Sequence, residues 1–143
     1  MSKLHILALR ALRPDAQRGF YRRVLGMATQ DSGGLGYSDR EMNLRFVQSE
    51  TSYRPQPSDL YWKIAVSVPN IELAYQQLVA RGARVSEPHQ FRDVGYLAHV
   101  TDPEGFTVEL IEHWFQGDRP SQSVDKTLLG GGPHISLLTL RTA

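Results

Sequence analysis

The sequence predicts an α+β fold: two βαβββ modules forming facing curved mixed sheets around a cleft, plus a C-terminal extension strand. Three observations carry this. The same order of elements runs through residues 1–50 and again through residues 60–113. The two stretches share local words: His5-Ile6-Leu7-Ala8 parallels Lys63-Ile64-Ala65-Val66, and Phe20-Tyr21 with Gly26 parallels Ala74-Tyr75 with Gly82. Each stretch sets one helix-period stripe among period-2 strands. A single unit of this kind leaves one sheet face bare and needs a partner to cover it.

The elements follow in order. Leu4 to Leu12 is β-like, with His5, Leu7 and Leu9 on one face. Pro14-Asp15 opens a helix, because proline suits the first turn and an acid suits the positive end of the dipole. Phe20, Tyr21, Val24 and Leu25 form its apolar stripe, and Gly26 stops it. Met27 to Gln30 begins a strand, Ser32 to Gly36 is a turn, and Glu41 to Gln48 is a strand with Asn43, Arg45 and Val47 opposite Met42, Leu44 and Phe46. Glu50 to Asp59 is a polar, proline-bearing connector.

The second round starts with a strand over Tyr61 to Val68. Asn70 caps a helix whose buried stripe is Ile71, Ala74, Tyr75, Leu78 and Val79, and Gly82 ends it. Ala83 to Ser86 is a strand, Glu87 to Asp93 a loop, and Gly95 to Thr101 a strand. Asp102-Pro103-Glu104-Gly105 then makes a tight turn into the strand Phe106 to Glu112. Residues 114–133 read as a linker. Residues 134–143 repeat the first strand (His134-Ile135-Ser136-Leu137 against His5-Ile6-Leu7-Ala8) and read as the first strand of a truncated or swapped further module, since a lone strand cannot stand by itself.

Composition removes several classes of function. A chain of 143 residues suits one domain with a real core. Without cysteine there is neither a disulfide framework nor a zinc-thiolate site. A formal net charge of +1 argues against a dedicated nucleic-acid surface. No apolar run reaches membrane-spanning length, and the N-terminus lacks the apolar core of a signal peptide, so the expected location is cytoplasmic.

The chemistry concentrates on a carboxylate. Thr107, Glu109 and Ile111 point one way from the last strand, and Phe106, Val108 and Leu110 the other. Glu109 is expected to look into the cleft together with His5, Lys63 and Arg45. Its two readings are a ligand or base, and a structural carboxylate paired with Lys63 across the cleft. Simple antiparallel pairing through the Asp102 turn puts Tyr96 on the Glu109 face and His99 on the other; a one-residue bulge would exchange them. Leu7, Leu9, Ala65 and Ile111 are expected to wall the cleft.

Residues 3 to 113 resemble the vicinal oxygen chelate superfamily of glyoxalases, bleomycin-resistance proteins and extradiol dioxygenases. The resemblance rests on Asp102 to Glu112, on Phe20-Tyr21-Arg22-Arg23-Val24-Leu25-Gly26-Met27, and on Ile64-Ala65-Val66-Ser67-Val68-Pro69-Asn70. It implies a divalent ion (Fe, Mn, Ni or Zn) held by His5 and Glu109. Two further ligand positions fall on Lys63, where a histidine is expected, and on or near Arg45, where a carboxylate is expected, with Glu41 as the fallback. A protonated lysine has no lone pair and arginine stays charged, so both disfavour an ion, and residues 1–113 alone are expected to lack one.

The resulting expectation is a glyoxalase- or dioxygenase-like protein acting on a small oxygen-rich molecule. Glu109 and Lys63 are its catalytic candidates, and Arg45 and Tyr96 its substrate-binding candidates. Alternatives are a metal-free, resistance-type binding module, and the non-catalytic N-terminal half of a longer chain. A homodimer is expected, with strand exchange through residues 134–141 as one route to it.

Overall fold

The computed structural model describes residues 6–50, 61–92, 95–113 and 127–140. The expected α+β architecture is present: two helices and two mixed sheets. The first unit runs β1 (Ile6–Ala11), α1 (Pro14–Arg23), β2 (Ala28–Thr29), β3 (Leu35–Gly36) and β4 (Asn43–Gln48), in sheet order β1-β4-β3-β2. The second runs β5 (Tyr61–Ser67), α2 (Ile71–Ala80), β6 (Arg84–Val85), β7 (His89–Phe91), β8 (Gly95–Thr101) and β9 (Thr107–His113). A 3-10 turn at Leu128–Gly130 leads to β10 (His134–Leu140), and the second sheet is ordered β10-β5-β9-β8-β6 with β7 on β8. In each unit the strand before the helix pairs in parallel with the last strand, β1 with β4 and β5 with β9. The internal repeat is therefore also a repeat of topology.

Local chemistry places the helices. Pro14 sits at the start of α1 with Asp15 in the first turn, and Gly26 takes φ +74 at the far end. Asn70 caps α2 by accepting the Leu73 N–H at 3.3 Å. Gly82 takes φ +78, and the Ala83 N–H returns to the Leu78 carbonyl. The buried carboxylate of Glu112 accepts the Ile71 N–H at 3.0 Å, satisfying another open donor of the same helix end.

One hydrophobic core joins the units, from Tyr21, Leu25, Leu44 and Phe46 to Ile64, Val66, Leu78, Val100, Val108 and Leu110. Its polar seam is the turn after β8. Asp102 Oδ2 accepts Tyr21 Oη at 2.7 Å and Gln17 Nε2 at 3.0 Å. Glu104 accepts the N–H groups of Leu12 and Arg13 at 2.9 and 3.1 Å. The second unit thus satisfies donors at the entry to α1.

Two stretches are more ordered than their composition suggests. His89–Phe91, expected within a loop, pairs antiparallel with β8, and Leu35–Gly36, expected within a turn, pairs with β2 and β4. At the C-terminus, β10 lies antiparallel on the outer edge of β5 of its own chain. Glu41, the fallback ligand position, instead accepts the Ile135 N–H of β10 at 2.9 Å. Among the described residues, no helix is long and apolar enough to cross a membrane.

Candidate functional site

The site grows from the parallel pairing of β5 and β9. Ala65 stands opposite Glu109 and Ser67 opposite Ile111, so Lys63, Ala65, Ser67, Glu109 and Ile111 share one sheet face. Ile64, Val66, Val108 and Leu110 point the other way, into the core. Glu109 is only 8 % exposed, so its charge has to be compensated. Lys63 Nζ lies 2.7 Å from Glu109 Oε2 and His99 Nε2 lies 3.2 Å from the same oxygen. The lysine and the carboxylate are neighbours in one sheet, rather than partners facing across a cleft.

His99 is a correction to the sequence reading. Antiparallel pairing sets His99 opposite Glu109 and Tyr96 opposite Glu112. Tyr96 is therefore on the core side, packed partly buried against the hydrophobic cluster, and it is His99 that reaches the carboxylate. The cause is the turn. Pro103 and Glu104 form a tight bend closed by the Gly105 N–H on the Asp102 carbonyl, and Gly105 at φ +90 adds one residue before Phe106 pairs with Asp102. That is a three-residue loop with a glycine bulge, and the one extra residue exchanges the faces. The carboxylate of Asp102 fixes it by accepting the N–H groups of Glu104 and Phe106 at 3.0 and 2.9 Å.

The register of β1 on β4 separates Arg45 from Leu7 and Leu9. Leu7 pairs with Leu44, Ala8 with Arg45 and Leu9 with Phe46. Leu9, Leu44 and Phe46 are buried in the cluster that holds Tyr21, whose ring centroid is 4.9 Å from that of Phe46. Burial of this face fixes the register and sends Arg45 to the opposite, exposed face, where it donates to the Ser32 carbonyl at 3.4 Å. Leu7 and Leu9 accordingly belong to the core rather than to the wall of a cleft. His5 lies outside the described residues.

The electrostatics follow from the contacts. Glu109 is held below its ordinary carboxylate range, first by the hydrogen bond from His99, with burial opposing, and then by the hydrogen bond and charge of Lys63. An ionised carboxylate only accepts, so the bond requires the His99 proton on Nε2 and leaves Nδ1 as the acceptor of a neutral ring. His89 stacks beside it, ring centroids 6.3 Å apart. Both described contacts of Glu109 fall on Oε2; Oε1 carries no donor among the described residues. On the same face the buried hydroxyl of Ser67 has no hydrogen-bond partner.

This donor set does not fit a divalent ion. An ammonium group already sits 2.7 Å from one carboxylate oxygen, and it would repel a cation bound at Glu109. Among the described residues, no group of three or more His, Cys, Asp or Glu side chains is arranged to hold a metal. What the face offers is a compensated carboxylate and an oriented imidazole, with the unpaired Ser67 hydroxyl buried beside them. Two hollows, of about 270 Å³ beside Leu12 and Glu104 and about 530 Å³ beside Arg10 and Gln48, lie elsewhere and do not include Glu109.

Comparison with solved structures supports the fold. A glyoxalase/bleomycin resistance protein/dioxygenase from Nocardioides is 23 % identical with a TM-score of 0.61, covering 85 % of this chain and 89 % of its own. A lactoylglutathione lyase from Agrobacterium tumefaciens is 21 % identical with a TM-score of 0.56, covering 78 % and 94 %. An antibiotic binding protein from a Streptomyces species is 18 % identical with a TM-score of 0.57, covering 80 % and 98 %. No curated protein matches the chain. The repeated βαβββ order, the Asp102 turn and a family match over residues 3–110 together establish that this chain belongs to the Glyoxalase/Bleomycin resistance protein/Dioxygenase superfamily.

Proposed function

We propose that this protein binds a small molecule on the Lys63–Glu109–His99 face and does so without a metal ion there. The observation that carries the reading is Lys63 Nζ seated 2.7 Å from Glu109 Oε2. The lysine supplies the positive charge that a buried carboxylate requires, so Glu109 has no need of a metal to stay ionised. The face is half-covered rather than sealed: Leu97, His99, Thr107 and Ile111 are each partly exposed around the buried Glu109 and Ala65. Apolar walls with a few convergent polar groups are the usual make-up of a small-molecule site. The Streptomyces neighbour of the same fold is itself an antibiotic binding protein.

The deciding experiment is elemental mass spectrometry of the purified, untagged protein before and after incubation with Fe, Mn, Ni and Zn salts. The expected result is no near-stoichiometric metal under any condition. Near-stoichiometric metal that is lost in His5→Ala or Glu109→Ala would overturn the reading and restore a metal enzyme.

Pairing between copies is a separate proposal. It is supported by β1, which lies at the edge of its sheet with β4 as its one strand partner among the described residues. Light scattering coupled to size exclusion tests it, with a homodimer expected and a monomer at micromolar concentration ruling it out.

A further inference from the structure

The larger hollow, about 530 Å³, lies apart from the Lys63–Glu109–His99 face and is lined by Arg10, Val47, Gln48, Ser49 and Glu50. Its size is that of an ordinary small-molecule pocket. Its walls stand on the paired ends of β1 and β4. Arg10 is opposite Val47 and Ala11 opposite Gln48, and the Ser49 N–H carries the ladder on to the Ala11 carbonyl at 2.9 Å. Arg10, Val47, Gln48 and Glu50 are all exposed, so a ligand reaches each of them. Arg10 and Glu50 border the same hollow, yet neither makes an ion pair or a hydrogen bond among the described residues. Gln48 is held in place. Its Nε2 uses both hydrogens, one on the Leu12 carbonyl and one on that of Ser49, each at 2.9 Å. That orients the amide and leaves Oε1 as an acceptor with no donor on it among the described residues. Val47, 37 % exposed, adds bare apolar surface.

We infer that this hollow binds a small zwitterion with an apolar limb, a molecule of the α-amino-acid type. Opposite charges set apart around one hollow complement a molecule that carries both. The ligand's carboxylate takes the Arg10 guanidinium, whose planar fork matches it. Its ammonium group donates to Gln48 Oε1 and to the Glu50 carboxylate, and its apolar limb covers Val47. A plain carboxylate gains Arg10 but meets the charge of Glu50, and a plain amine gains Glu50 but meets the charge of Arg10. The two sites share no residue, so this inference does not depend on metal-free binding at Glu109.

The test uses the full chain, labelled with ¹⁵N and titrated with three matched probes: L-leucine, isocaproate, which lacks its ammonium group, and isoamylamine, which lacks its carboxylate. The expected result is that leucine moves the backbone amide signals of Arg10, Val47, Gln48 and Glu50 and binds tighter than the other two. Arg10→Gln should weaken leucine about three- to tenfold and leave isoamylamine no weaker. Glu50→Gln should weaken leucine by a similar factor and leave isocaproate no weaker. Both side chains are exposed, so circular dichroism should be unchanged in both variants. No shift at these residues with leucine at about 10 mM overturns the site. So does equal or tighter binding of isocaproate or isoamylamine, or undiminished leucine affinity in both variants. Shifts confined to Lys63, His99 and Glu109 overturn it as well, while leaving binding at that face intact.

Discussion

Lys63 Nζ and Glu109 Oε2 are 2.7 Å apart on adjacent parallel strands, with side chains 16 % and 11 % exposed. Most of this pair is out of water, so losing one member costs more than the contact itself is worth. Lys63→Met leaves Glu109 buried with His99 as its one described partner. The expected loss is about 3 kcal/mol of unfolding free energy. Adding Glu109→Gln in the same chain removes the uncompensated charge and should recover most of it. Urea unfolding of the two variants checks this, and a double variant no better than Lys63→Met would show that the cost lies in packing.

Acid stability should reflect two carboxylates of opposite sign. Glu109 is held below its ordinary range, chiefly by His99. Its folded pKa is therefore lower than its unfolded one, and the stability it adds is present above the unfolded value of about 4.3 and lost as the pH falls through the folded value. Asp102 is pushed up by burial, with the bonds from Tyr21 and Gln17 opposing. Its penalty is present above its folded pKa and relieved as the pH falls. In urea titrations between about pH 3 and pH 6, Glu109→Gln should flatten the acid limb and Asp102→Asn should steepen it. At neutral pH Asp102→Asn is still expected to destabilise, by about 2 kcal/mol, because four donors converge on that carboxylate.

The sequence pattern carried the fold further than it carried the site. The repeat, the glycine helix stops and the period-2 strands placed both helices and the repeated βαβββ order, because each depends on local chemistry and on periodicity. The site depends on register, which a single residue reverses. Tyr96 and His99 exchanged faces because Gly105 adds one residue to a turn that reads, by composition, as the shorter form. The signal was present in the glycine three residues after Asp102, the αL position of a bulged hairpin. Arg45 is a different case. Alternation put it opposite Leu44 and Phe46, as observed, but only the register with β1 shows that Leu7 and Leu9 side with those two and Ala8 with Arg45. The Ser67 orphan has no sequence signal, since a serine in a strand says nothing about who its partners will be.

Gly26 and Gly82 end their helices in the same conformation, at φ +74 and +78, but in different surroundings. A Cβ on Gly26 would overlap the Leu128 side chain, whereas one on Gly82 meets nothing within 4 Å. Gly82→Ala should therefore cost only the backbone strain, about 1 kcal/mol. Gly26→Ala should cost that plus about 1–3 kcal/mol for displacing Leu128. The difference, read from urea midpoints, measures how firmly the 3-10 turn is seated on the first unit.

Gln77 holds that turn from the other side. Its Nε2 donates to the Thr127 carbonyl at 2.8 Å and its Oε1 accepts the Leu129 N–H at 2.7 Å. Leu129 is fully buried at φ +50, a conformation a branched side chain adopts only when its surroundings enforce it. Gln77→Ala removes one bond from the strained Leu129 and one from Thr127 two residues earlier, and the expected cost is about 1–2 kcal/mol. The informative readout is where the cost appears. Native-state hydrogen exchange should quicken about tenfold or more at the Ile135 amide, which Glu41 holds at the start of β10, and change little at Val108 and Leu110 in the core strand β9. Equal acceleration at all three positions would mean that β10 opens only with the whole domain. Acceleration at Ile135 alone would show that the start of β10 comes off Glu41 by itself, the first step that exchange of residues 134–141 between copies would require.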